Sequence, residues 1–317
     1  MPTFFAEKQQ TLQGHRDCVY TLAHAQEDQI FSAGGDGLVV RWDLHQPDQG
    51  TVVVKVPASV YAVHYNEERH QLIVGQNYEG LRVIDLKNGQ EAAVVKIGKT
   101  ALFDIVETNG HLLVATGEGE IAVVASDALS IVHRIRASKQ RARSIAVNEL
   151  RQEMAIGFSD YSVRIYDTKN YQLKQTLSGH TNSVFTAKYT PDGRHLVSGG
   201  RDAHLKIWDV DKNYQLTQSI VAHMYAINHL DFSPDGRHFA TGSMDKSVKI
   251  WDAHQFKLLK VIDKARHAGH GTSVNRVLWM NDSETLLSAS DDRTISVWKW
   301  GETKHASAGL NNNNHLL

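Results

Sequence analysis

The stretch SGHTNSVFTAKYTPDGRHLVSGGRDAHLKIWD, residues 178–209, returns in near-identical form as VAHMYAINHLDFSPDGRHFATGSMDKSVKIWD, residues 221–252. In both, a histidine (His180, His223) stands 18 positions before a hydroxyl (Ser198, Thr241). An aspartate (Asp202, Asp245) follows 4 positions later, and a tryptophan (Trp208, Trp251) 6 after that. A chain that repeats whole units at fixed spacing is built from stacked copies of one supersecondary element. The same spacing fits His270, Ser288, Asp292 and Trp298. It also fits His15, Ser32, Asp36 and Trp42 with the first interval one residue shorter, which implies a tighter hairpin in that copy.

Between Trp42 and Trp208 the apolar pattern continues without the polar set. Sliding it along the chain places Ile84, Val124 and Tyr166 in the tryptophan slot. The hydroxyl and aspartate slots then hold Val74 and Tyr78, Val114 and Glu118, and Ile156 and Asp160. Successive tryptophan slots are 42, 40, 42, 42, 43 and 47 residues apart, so seven units account for nearly the whole chain. In the three weak units apolar packing is expected to replace the hydrogen bonds; the alternative is a softer side of the molecule that a partner stabilises.

Each unit reads as short strands. VFTAKY (184–189) alternates, PDG (191–193) is a turn, HLVSGG (195–200) is an apolar run, and HLKIWDV (204–210) alternates again. QLTQSIV (215–221) and KLLKVID (257–263) supply a fourth strand. Four antiparallel strands repeated seven times predict an all-β, seven-bladed propeller, because radial repetition leaves only short, protected edges.

With the pairs Trp42-Asp43, Trp208-Asp209 and Trp251-Asp252, and Gly14-His15, Gly179-His180 and Gly269-His270, the chain resembles the WD-repeat (tryptophan-aspartate repeat) β-propeller family. The likeness spans roughly residues 5 to 300 and weakens in units two to four and at Trp298-Lys299. It implies that residues 1–300 form a single propeller whose ring is closed by an N-terminal strand within residues 1–13, paired into the last blade. The stretch 301–317, GETKHASAGLNNNNHLL, is polar and asparagine-rich and reads as a disordered tail.

Composition narrows the function classes. Net charge is −1 with 18 histidines counted as neutral, so no global field steers the chain to nucleic acid or an anionic membrane. The single cysteine, Cys18, rules out a disulfide framework and fits a reducing, cytoplasmic compartment. The amino terminus lacks the basic start and apolar run of a secretion signal.

A histidine, a hydroxyl and an aspartate invite comparison with a catalytic triad. Four copies in one chain argue instead for a structural network, because a buried polar set is tolerated only when fully paired. The resemblance implies the order: aspartate holds histidine, histidine holds the hydroxyl, and the hydroxyl accepts from the indole N–H. No catalytic residue and no cofactor are assigned. His267 and His270 are close in sequence, but His270 fills a network slot and the spacing lacks a third ligand, so no metal site is assigned.

The resemblance also implies a binding face on the histidine-bearing side of the ring. The residue after the first strand's leading apolar position lies near the central opening, which selects Tyr20, Tyr61, Leu102, Arg143, Phe185, Asn228 and Asn275. Residues before the aspartate slot share that rim: Gly35, Asn77, Gly117, Ser159, Arg201, Met244 and Asp291. Aromatic and arginine side chains are the types that carry binding energy. The expected function is a non-enzymatic scaffold that binds a protein or peptide partner through Tyr20, Tyr61, Arg143, Phe185, Arg201, Asn228, Met244, Asn275 and Asp291. Two other classes remain open. The basic run Arg134, Arg136, Lys139, Arg141 and Arg143 would suit RNA or a ribonucleoprotein, and Asp104 with Asn228 and Asn275 would have to serve an enzyme at the channel mouth.

Overall fold

The structure, a computed structural model, describes residues 3–303. Its strands form seven antiparallel four-stranded sheets. The best copy folds as its pattern dictates, with strands Val184–Tyr189, His195–Gly200, His204–Asp209 and Gln215–Val221. Successive side chains point to opposite faces of the sheet, so the middle strands His195–Gly200 and His204–Asp209 are buried between neighbouring blades, whereas the outer strand Gln215–Val221 is exposed.

The units align as the slot reading requires. Trp42, Trp208, Trp251 and Trp298 lie opposite Ile30, Leu196, Phe239 and Leu286. In the weak units Ile84, Val124 and Tyr166 hold the same register against Leu72, Leu112 and Met154. The shorter first interval is a shorter hairpin: strand Val19–His24 resumes at Gln29, whereas Val184–Tyr189 resumes at His195. The long last interval accommodates a helical turn, Lys264–His267, capped by the Asp263 side chain.

The innermost strands of adjacent blades pack side by side around the ring, and Val19–His24 meets Val274–Trp279 to close it. Closure is made by strand pairing. Strand Thr3–Gln13 pairs with Thr294–Thr303 from Thr3 opposite Thr303 to Gln13 opposite Thr294, so the last blade joins both ends of the chain. That last strand corrects the expected boundary: Gly301, Glu302 and Thr303 continue the sheet rather than starting a tail. The rest of the expected tail, 304–317, lies outside the described residues.

The core sits between blades rather than within one. Ile30 and Trp42 of the first blade pack with Leu12, Leu278, Leu287 and Ile295 of the last. Val74 and Ile84, and Val114 and Val124, are buried in the same way, so apolar side chains fill the slots where the polar set is missing.

The central opening as candidate functional site

The four polar sets are closed structural networks. His180 Nδ1 is 2.8 Å from Asp202, His180 Nε2 is 2.8 Å from Ser198 Oγ, and Trp208 Nε1 donates to that oxygen at 2.9 Å. His15, His223 and His270 repeat the arrangement with Asp36, Asp245 and Asp292, and with Ser32, Thr241 and Ser288. Trp42, Trp251 and Trp298 complete them at 2.7, 3.0 and 2.9 Å. An indole N–H can only donate and a carboxylate can only accept, so the hydroxyl donates to Nε2 and Nδ1–H donates to the aspartate.

These sets cannot act as nucleophiles. All four hydroxyl residues are 0% exposed, and each oxygen is already taken by the indole. The aspartates instead tie the turn: Asp202 also accepts from the backbone N–H groups of Thr181 and His204. Burial alone would raise the Asp202 carboxyl, but the hydrogen bond and charge of His180 and those N–H groups outweigh it and take the pKa to about 2. Burial is also the largest influence on His223, pushing it below the usual imidazole value despite Asp245, which keeps the ring neutral at pH 7. His270 is held within its network, so the RHAGH pair supplies no free ligand set there.

At the same end of each innermost strand the ladder slips. Register shifts fall at Val19/Thr21, Val60/Val63, Leu102/Asp104, Ala142/Ser144, Val184/Thr186, Ile227/His229 and Val274/Arg276. A β-bulge leaves one residue unpaired and re-aims its side chain. The bulged positions hold Tyr20, Tyr61, Phe103, Arg143, Phe185, Asn228 and Asn275, and all seven line a cavity of about 590 Å³ at the central opening.

Leu102 is the exception to the expected rim. It is fully buried in the core between blades, and Phe103 takes its place at the opening. In the apolar run Ala101-Leu102-Phe103, taking Ala101 as the leading position selects Leu102, whereas the strand leads with Leu102 and the bulged residue after it is Phe103. The hairpin between Thr108 and His111 is Asn109-Gly110 with φ of 50° and 71°, a two-residue turn that shortens this blade. Asn-Gly is visible in the sequence and would have set the register.

Five consecutive blades contribute a continuous row to the mouth. The Tyr20 and Tyr61 rings are 4.9 Å apart, and Tyr61 stacks on Phe103 at 5.6 Å. The Arg143 guanidinium then lies between two rings, 4.2 Å from Phe103 and 4.7 Å from Phe185. Burial, followed by the charge of Arg141, lowers the Arg143 pKa to about 10, so it stays cationic at neutral pH.

The asparagines do different work. Asn228 Nδ2 donates to Ser273 Oγ and the Val274 carbonyl at 2.9 Å each, and Asn275 Nδ2 donates to the Val19 carbonyl at 3.0 Å and Asp291 at 2.7 Å. They fasten blade six to seven and seven to one. Asp104 is likewise committed, accepting from the Ile145 N–H at 2.9 Å and the Ile105 N–H at 3.2 Å. Of the residues before the aspartate slot, Asn77 is buried and holds the Leu102 N–H at 2.8 Å, whereas Arg201 is exposed.

Beside the opening runs a second trough, lined by Phe185, Arg201, Asp202, Ala203, Met224, Tyr225, Asn228 and Met244. Asp202 is the carboxylate that His180 holds, so the trough lies on the histidine-bearing side. Met224, Tyr225 and Met244 are 82%, 59% and 58% exposed. Met224 and Tyr225 escape the expected rim because they lie in the lead-in to the strand.

The basic run is divided by the fold. Arg134 and Arg136 lie on the outer strand Ser130–Arg136, both against Glu120. Arg141 and Arg143 line the central cavity instead.

Comparison with known proteins agrees with this architecture. The family described as Nucleolar protein 10-like, N-terminal domain, a β-propeller, matches residues 40–301, and the WD domain, G-beta repeat, matches residues 6–43. The crystal structure of the WD40 β-propeller domain of Doa1 superposes with a TM-score of 0.81 at 19% identity, covering 93% of this chain and 97% of that one. Periodic tryptophan protein 2 homolog of Mus musculus is 25% identical over 63% of this chain but only 24% of its own length. Serine-threonine kinase receptor-associated protein of Gallus gallus is 28% identical over 62% of this chain and 56% of its own length. By its fold, its closed polar networks and the family match over most of its length, this chain belongs to the WD-repeat β-propellers, in the family of Nucleolar protein 10-like N-terminal propeller domains.

Proposed function

We propose that the chain is a non-enzymatic scaffold that binds a protein or peptide partner at the histidine-bearing face and central opening. The observation that carries this reading is the row Tyr20, Tyr61, Phe103, Arg143 and Phe185, which faces a cavity of about 590 Å³. Bulges on a closed ring aim these side chains without help from mobile loops, so little ordering entropy opposes binding. Half-buried aromatics and arginine are also the side chains that most often anchor interfaces. The name of the chicken relative describes association with a receptor, which is consistent with a platform role. The single free thiol, Cys18, supports placing that role in a reducing compartment such as the cytoplasm.

The test is a double substitution, Tyr61→Ala with Phe185→Ala. Neither ring belongs to a polar network, so the melting temperature is expected to change by no more than a few degrees, while peptides selected on the wild-type chain lose at least tenfold in affinity. Equal affinity for the double variant would remove this face as the binding site.

A further inference from the structure

The cavity at the opening is electrostatically one-sided although the whole chain is nearly neutral. Lys99, Arg141, Arg143, Lys188 and Arg276 line it, against one carboxylate, Asp104. That carboxylate is turned to the backbone N–H groups of Ile145 and Ile105, and does not neutralise the cavity side chains at close range. Lys188 has Asp231 at 3.9 Å. The two inward arginines have no such counter-charge: among the described residues no carboxylate lies within ion-pair distance of Arg143 or Arg276. Arg276 Nε is buried without any hydrogen-bond partner.

Arg143 is prepared for a ligand in a specific way. The guanidinium carbon lies 4.2 Å from the Phe103 ring and 4.7 Å from the Phe185 ring, so two aromatic neighbours hold the cation and shield it from water. The edge N–H groups remain available, and a guanidinium edge matches a carboxylate through two parallel hydrogen bonds. A desolvated cation without a partner is costly, and a carboxylate arriving there would remove that cost. The occupant must also meet the neighbouring trough, where Met224, Tyr225 and Met244 expose apolar surface and Phe185 borders both spaces. A ligand joining an anion to apolar side chains is a peptide. Phe103 offers little room for a stacked nucleic-acid base, with the Tyr61 ring at 5.6 Å and the Arg143 guanidinium at 4.2 Å.

We propose that the opening is selective for an acidic segment of a protein partner, seating an Asp or Glu side chain on the edge of Arg143 with an apolar neighbour in the Met224–Met244 trough. This rests on the binding face described above and adds the chemistry of its occupant.

Random twelve-residue peptides displayed on phage, selected on the purified chain, provide the test. Sequences whose binding is lost in the Tyr61→Ala, Phe185→Ala double variant define the face; if none is found, the platform reading itself fails. Among face-dependent peptides, an Asp or Glu beside an apolar residue is expected at a fixed position. Changing that acid to its amide should weaken binding at least tenfold in the wild-type chain and have no further effect in Arg143→Met. Arg143→Lys, which keeps a cation between the two rings, covers the case in which Met disturbs the blade: it should retain the preference for acid over amide while losing affinity. Face-dependent peptides with no acid preference, or an acid preference unchanged in Arg143→Met, would overturn the proposal while leaving the binding face intact. A polyuridylate probe that displaces the peptides and loses binding in Arg143→Met would overturn it in favour of nucleic acid.

Discussion

Ser198 shows how one hydroxyl joins three parts of a blade. It accepts from Trp208 Nε1 at 2.9 Å and contacts His180 Nε2 at 2.8 Å, in a site with no exposure. Truncating one member of a buried network leaves its partners unsatisfied, which costs more than the net worth of a hydrogen bond. Ser198→Ala is therefore expected to destabilise the protein by about 1–3 kcal/mol. Replacing Trp208 with Phe in the same chain removes the stranded indole N–H, so the double variant should lose less than the two single effects added together. Urea unfolding of the four proteins measures this coupling, and strict additivity would show that the network acts as isolated pairs. The identity of these residues was legible from spacing, because 18, 4 and 6 positions recur in whole units, and the order of their hydrogen bonds followed from the family resemblance. Their bulge geometry was not, since a bulge depends on which backbone residue fails to pair and leaves no fixed composition.

At the scale of the element, the strand Thr3–Gln13 is both the first of the chain and the outermost of the last blade. Its hydrogen bonds join Thr294–Thr303, and Leu12 is buried in the core shared by the first and last blades. Removing it exposes a sheet edge and opens that core at once. Deletion of residues 1–12 is expected to abolish cooperative unfolding, and the milder Leu12→Ala to cost about 2–5 kcal/mol through the cavity it leaves. Denaturant titration checks both, and an unchanged midpoint for the deletion would mean that the ring does not depend on this closure. The closing strand was readable because residues near Glu7–Leu12 lacked a unit of their own and the last unit lacked a fourth strand. The end of its partner was less readable: Gly301-Glu302-Thr303 is polar, yet pairing with Phe5, Phe4 and Thr3 carries the strand through it. Register inside a blade was legible where the hairpins have equal length, and failed at Leu102 where Asn109-Gly110 shortens the turn.

For the whole molecule, the question is whether the ring is equally stable all round. Blades two to four have no complete set of histidine, hydroxyl, aspartate and tryptophan, yet Val74, Val114 and Ile156 are 0% exposed in the hydroxyl slots. Asp160 keeps part of the turn chemistry, accepting from Ser138 Oγ at 2.7 Å and Arg164 at 2.6 Å. A hydrogen-bonded set contributes modestly after desolvation, and a well-packed apolar set of similar volume can match it. The packing accordingly favours replacement over a softened side. Native-state hydrogen exchange distinguishes the two, because it reports the local opening free energy strand by strand. Strands Gln71–Gln76, His111–Thr116 and Glu153–Phe158 are expected to be protected to within about tenfold of His195–Gly200 and His238–Ser243, a difference of less than about 1.4 kcal/mol. Exchange a hundredfold faster, confined to blades two to four, would mean that apolar packing does not replace the polar networks. The rigid presentation of Tyr61, Phe103 and Arg143, all carried by those three blades, would then depend on an occupant rather than precede it.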